Sequence, residues 1–256
     1  MKKFFLILAS CGFLTLLGIG GWQISRYWSA TQESDTVYTG LETYITMPEE
    51  KTEGDAREDE TPDTQSEALS LPVVDFAALR QINPDIVGWL YCEGTPINYP
   101  VVQGEDNSYY LKHLFDGTYN ANGSLFLDCM AAGDFTDTHS IIYGHHMKNG
   151  SMFSSLDGYK DQDYFEAHPT LLLITPERGY LVKLFAGYVA SVDDAAWTTG
   201  FSNKIEFERW LESAKGKSTF TGNVSPIATD RILTLSTCSY EFQNARFVVH
   251  GVLLEL

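Results

Sequence analysis

Basic residues are scarce in this chain. Lysine and arginine number 17 against 34 aspartates and glutamates, a formal net charge of −17. A nucleic-acid partner calls for a cationic footprint that neutralises phosphates, so nucleic-acid binding is not expected. Cysteine is scarce too. Cys11, Cys92, Cys129 and Cys238 are the whole set and form no CxxC pair, which argues against a disulfide-stapled scaffold and against a zinc or iron–sulfur site. No GxxxxGKS or GxGxxG loop is present, so nucleotide chemistry has no support. Wholesale disorder is excluded, because 44% of the residues are hydrophobic and 13% aromatic, enough to build a buried core.

What is present divides into three parts. Lys2 and Lys3 precede 22 uncharged residues, 4–25. A helix rising about 1.5 Å per residue crosses the hydrocarbon core with roughly 20 such residues. The leading lysines would keep residues 1–3 in the cytoplasm and send the rest outside, with Trp22, Tyr27 and Trp28 at the outer interface. A cleaved signal peptide fits less well, since the run exceeds a usual h-region and no A-x-A follows. Leu8-Ala9-Ser10-Cys11 resembles a lipobox, but cleavage there would strand the apolar residues 13–22. The expectation is an uncleaved, single-pass signal-anchor over 4–25. Residues 26–70 then read as a flexible acidic linker. Within it, 31–70 carries 12 acidic residues against Lys51 and Arg57, with apolar residues too sparse to offset ordering entropy.

Residues 71–256 form the exported domain, itself acidic. A short helix is expected over 75–81, capped by Asp75 and ended by Asn83-Pro84. Eight β-rich runs follow, at 87–92, 97–102, 124–127, 140–143, 170–175, 180–190, 231–238 and 247–254, punctuated by Gly, Asn, Asp and Pro. One longer helix, 204–214, places Ile205, Phe207, Trp210 and Leu211 at helical spacing. The fold class is therefore mostly β, a closed or nearly closed barrel with appended helices.

Three groups carry candidate chemistry. In the strand ending at Cys238, alternation puts Leu233, Leu235 and Thr237 on one face and Thr234, Ser236 and Cys238 on the other. The leucines claim the core, leaving the thiol on a small, polar face at the strand end. It is either a nucleophile or a half-buried strand thiol. Arg246 opens the next strand, and an antiparallel hairpin would set it beside Cys238, where a fixed cation can stabilise an oxyanion. A surface arginine pairing with Glu241 is the plainer alternative. His145-His146 follow a strand and Gly144. Neighbours on an extended chain point apart and cannot easily share one metal ion, so one of them as a general acid/base is the better reading. His113, His139, His168 and His250 stand in no motif and are expected to be structural.

Taken together these residues resemble a known family. Thr234-Leu235-Ser236-Thr237-Cys238 is similar to the TLxTC signature of sortases. The stretch from Tyr143-Gly144-His145-His146 to Ser151-Met152-Phe153 resembles the histidine segment of their class B branch. Asn83-Pro84-Asp85 through Trp89-Leu90, Asp106-Asn107-Ser108-Tyr109-Tyr110-Leu111, and Ala245-Arg246-Phe247 fall in the family's order. The resemblance implies an eight-stranded sortase barrel with N-terminal helices and one inserted helix. It implies a cysteine transpeptidase of the Gram-positive surface, with Cys238 as nucleophile, His145 as acid/base and Arg246 as the oxyanion or substrate-positioning group. Asn107, Leu111, Tyr143 and Ser236 would line the substrate groove. The implied partners are secreted surface proteins bearing a C-terminal sorting signal (NPxTx or xPxTG-like, cleaved after Thr) and a peptidoglycan-precursor amine on lipid II. Neither metal nor other cofactor is implied. A pilin-polymerising sortase and a catalytically idle surface binding domain are the alternatives. Cys92 and Cys129 read as two buried thiols more readily than as a disulfide.

Overall fold

The computed structural model describes residues 2–48, 71–238, 241 and 243–256. Helix α1 spans Lys2–Leu41, and a two-stranded ribbon joins β1 (Ile45–Thr46) to β2 (Val73–Val74). Helix α2 (Phe76–Ile82) follows. Then come β3 (Ile86–Tyr91), β4 (Asn98–Val102), β5 (Leu125–Leu127) and β6 (His139–Tyr143). Helix α3 (Gln162–Ala167), β7 (Thr170–Ile174), β8 (Gly179–Ser191), α4 (Lys204–Lys217), β9 (Arg231–Cys238) and β10 (Ala245–Glu255) complete the chain.

Strands β3 to β10 close into an eight-stranded barrel in the order β10-β8-β7-β3-β4-β5-β6-β9. All its pairings are antiparallel except β4 with β5 and β6 with β9. Each of the eight β-rich runs became one barrel strand. The helices start where side chains can satisfy their free N–H groups. Asp75 accepts from Ala78 N–H at 2.9 Å to open α2, and Asn203 accepts from Glu206 N–H at 3.0 Å to open α4.

Apolar side chains form two layers. The barrel interior holds Trp89, Phe126, Leu233, Leu235, Phe247 and Val249. A second layer lies outside the wall, where Phe207, Trp210, Leu211 and Ala214 of α4 pack on Phe185, Tyr188 and Val248. Ile205 is the exception on α4, 60% exposed and off the packed stripe.

Over residues 26–48 the structure corrects the expected linker. Helix α1 continues through Leu41, and Ser34, Tyr38 and Leu41 bury one helical stripe against the barrel. Tyr38 O–H donates to the Gly123 carbonyl at 2.7 Å, and Asn120 Nδ2 donates to the Ala30 carbonyl and the Glu33 carboxylate. Composition averages hid this docking stripe, because three well-spaced residues suffice to seat a helix. The pairing of β1 with β2 sets Ile45 opposite Val74 and Thr46 opposite Val73. Residues 49–70 themselves lie outside the described residues. Among those described, no helix is long and apolar enough to cross a membrane. Of the expected span over 4–25, the side chains of residues 4–12 and 14 lie outside them.

Candidate active site

Two strand pairings converge at one end of the barrel. β6 and β9 run parallel with Tyr143 opposite Ser236, and Gly144 N–H donates to the Ser236 carbonyl at 3.1 Å. Two residues further along each chain stand His145 and Cys238, so the parallel register sets an imidazole beside a thiol. β9 and β10 pair antiparallel with Cys238 directly opposite Arg246. Directly opposed residues project to the same face with Cβ atoms about 5 Å apart, which brings in the guanidinium. Gly144 makes the approach possible, since a Cβ there would overlap the side chains of Leu125 and Phe153.

His145 is held on two sides. Phe153 N–H donates to its carbonyl at 3.0 Å, and its own Nε2 lies 2.7 Å from the Leu111 carbonyl. A carbonyl only accepts, so Nε2 carries a proton and Nδ1 is left to exchange one with the thiol. The hydrogen bond between His145 and Cys238 draws the thiol below its ordinary range; burial opposes this and the Arg246 cation assists. The same bond raises His145 against its own desolvation, with help from the Leu111 carbonyl. Each group thus favours the charged form of the other. Arg246 steadies itself by donating from Nη1 to the Ala245 carbonyl at 3.0 Å.

Thiol, imidazole and guanidinium open into one groove of about 320 Å³. Asn107, Leu111, Tyr143 and Ser236 all line it, so the seven residues singled out in the sequence meet in one place. Phe126 and Thr237 line it as well and were not anticipated. Phe126 pairs with Tyr143 across β5 and β6, its ring 5.3 Å away. Strand alternation alone does not separate such a groove wall from core. A further residue without a sequence signal is Asp128, whose carboxylate accepts from both Asn107 and Tyr143.

The small, polar face of β9 is largely covered. Thr234 is sealed between His139 and His250 beneath α4, and only the Cys238 end reaches the groove. His146 turns away to the Asp157 carboxylate at 2.9 Å. Glu241, the partner proposed for a plain surface arginine, pairs with Lys160 at 2.6 Å. His113 stacks on Tyr109, and His168 donates from Nδ1 to the Glu93 carbonyl. Cys92 is buried and Cys129 half-exposed, both as free thiols. The expectation of two buried thiols is thus corrected at Cys129, whose loop follows β5 on the surface.

A thiol lowered by an imidazole, next to a fixed cation in an open groove, is equipped for acyl transfer through a thioester. Residues 90–254 match the sortase domain family. The chain is 37% identical over 218 residues to sortase B of Listeria monocytogenes, covering 84% of this chain and 89% of that protein. It is 33% identical over 183 residues to sortase B of Staphylococcus aureus, covering 71% and 75%. The solved sortase B of Bacillus anthracis superposes with a TM-score of 0.73 at 33% identity, over 90% of this chain and all of that one. The chain belongs to the sortase family, in its class B branch, and is a sortase transpeptidase.

Proposed function

We propose that this transpeptidase cleaves a C-terminal sorting signal, of NPxTx or xPxTG-like sequence, after its threonine and joins the released protein to a peptidoglycan amine. The observation that carries the reading is the parallel β6–β9 register, which sets His145 beside Cys238 with Arg246 across the hairpin. The Cys238 thiolate bonds to the threonine carbonyl carbon. The following C–N bond breaks, and the His145 imidazolium gives its proton to the departing amine. The acceptor amine then attacks the thioester, passes a proton to His145 and displaces the thiolate. Arg246 is positioned to hold the carbonyl oxygen while it carries negative charge. Asn107, Leu111, Tyr143 and Ser236 receive the signal peptide. A Staphylococcus aureus sortase B has been solved with its substrate, and a sortase B with triglycine. Both ligand types fit the two halves of this reaction.

The same proposal places the enzyme on the outer face of a membrane, with residues 1–3 inside and α1 as the anchor. Phe13, Leu16, Leu17, Ile19 and Trp22 stand more than half exposed on α1, an apolar surface that calls for burial elsewhere. The test is mass spectrometry of the full chain with NPxTx, SPxTG and LPxTG peptides, with and without triglycine, beside Cys238→Ala. Cleavage after threonine with a thioacyl adduct on Cys238, absent from the variant, is expected. A folded parent that neither cleaves nor acylates would favour the idle binding domain. Fractionation of expressing cells, with the chain in the membrane pellet, checks the anchor.

A further inference from the structure

We infer that Asp128 is a positioning residue of the groove, holding Asn107 and Tyr143 in the poses that receive an extended peptide backbone. This rests on the transpeptidase reading and adds a residue to it. Asp128 follows β5 and is fixed before its side chain does anything. Its N–H donates to the Ile141 carbonyl at 2.9 Å, and its own carbonyl accepts from Gln103 Nε2 at 2.9 Å and from Ala131 N–H at 3.0 Å. Its Oδ1 accepts from Met130 N–H at 2.9 Å. The remaining oxygen, Oδ2, accepts two side-chain donors that line the groove: Asn107 Nδ2 at 2.9 Å and Tyr143 O–H at 3.0 Å.

Asn107 sits in an exposed loop, where an amide would ordinarily sample several rotamers. Here it is clasped at both ends, since its Oδ1 also accepts from Cys129 N–H at 2.8 Å. These partners fix which end is oxygen and which nitrogen. An amide offers two donors and two acceptor sites. One of each is occupied, so one N–H and one lone pair remain, the complement of a peptide C=O and N–H. Tyr143 donates its only proton to Asp128, so its oxygen is left as an acceptor. One carboxylate oxygen therefore sets the hydrogen-bonding polarity of two groove residues. Asp128→Asn cannot reproduce this. If its oxygen faces Asn107 and Tyr143, its NH2 confronts Met130 N–H; flipped, it confronts both groove donors.

The test uses the full chain and the sorting peptide that the parent cleaves fastest. Asp128→Ala and Asp128→Asn should each lower kcat/KM by about 10- to 100-fold, chiefly through KM, as expected for lost positioning. Alkylation of Cys238 by iodoacetamide, which needs no groove contact, should stay within about twofold of the parent. Side-chain amide exchange at Asn107 should quicken. In an Asn107→Ala, Tyr143→Phe background, Asp128→Ala should cost less than about twofold more, because its route of action is gone. Parent-like kcat/KM in both Asp128 variants, or a fully additive loss in the double background, would overturn the inference. So would alkylation falling in step with turnover. A parent that cleaves none of the peptides would instead overturn the transpeptidase reading and this inference together.

Discussion

Two pairs of groups flank strand β9, and they have been driven in opposite electrostatic directions. At its end, His145 and Cys238 share a hydrogen bond beside Arg246 and face an open groove. In its middle, His139 and His250 are fully buried under α4 and joined through Thr234. The buried pair forms a directional chain. His139 Nδ1–H donates to the Thr198 carbonyl at 2.7 Å, so its Nε2 accepts from the Thr234 hydroxyl at 2.6 Å. That hydroxyl in turn accepts from His250 Nδ1–H at 2.6 Å. The chain needs no charge on either ring. Burial pushes His139 down to about 4 and His250 well below its ordinary range. His145 is raised because it gains a thiolate and a carbonyl to offset its lost water. Imidazoles flanking one strand thus become structural or chemical according to the partner that replaces water.

The largest expected effect breaks the groove side of this comparison. His145→Ala should lower turnover by about 10²- to 10⁴-fold. It should also move the pH profile of Cys238 alkylation upward, toward a free thiol near 8.5. An unmoved profile would show that the imidazole does not set the thiol. On the buried side, Trp210→Ala removes the ring lying 4.6 Å from His139 and 5.2 Å from His250. It should cost about 3–5 kcal/mol in denaturant unfolding while leaving the alkylation rate of folded protein unchanged.

Acid sharpens the contrast. The unfolded chain protonates these imidazoles near 6.5, but the folded chain resists until far lower pH. Their contribution is therefore complete above about 6.5 and is lost as pH falls toward about 4. For His139 alone this is on the order of 3 kcal/mol. Unfolding curves at pH 7 and pH 4.5 should show the loss in the parent and a smaller one in His139→Gln. Equal losses would remove the buried pair from the explanation. The smallest effect is local: Asn203→Ala strips the α4 cap and should cost about 1 kcal/mol, with no change at the thiol.

Much of this was legible in the linear chain, and the reasons are local. Short β-rich runs bounded by turn residues marked all eight barrel strands. Asp75 was read as a cap from its position, and the 204–214 helix from the spacing of Phe207, Trp210 and Leu211. Cys238, Arg246 and Gly144-His145 were readable because each lies at a strand boundary, where side chains emerge from the wall. Other features had no local signature. Tyr38 and Leu41 looked like residues of a spacer, and Asp128 like any loop acid. Thr234 was placed on a small, polar face with no sign that α4 would cover it.

Sequence by itself determined the strands, the Asp75 cap and which thiol, imidazole and guanidinium stand at strand boundaries, since these follow from residue patterns and side-chain chemistry within a few residues. Tertiary structure alone decided that α1 docks rather than spaces, that His139 and His250 lose their water, and that one oxygen of Asp128 serves two groove residues. Those outcomes depend on strand register and on which surface covers which. They arise between residues up to 111 positions apart in the chain, as His250 lies from His139, a separation no local pattern records.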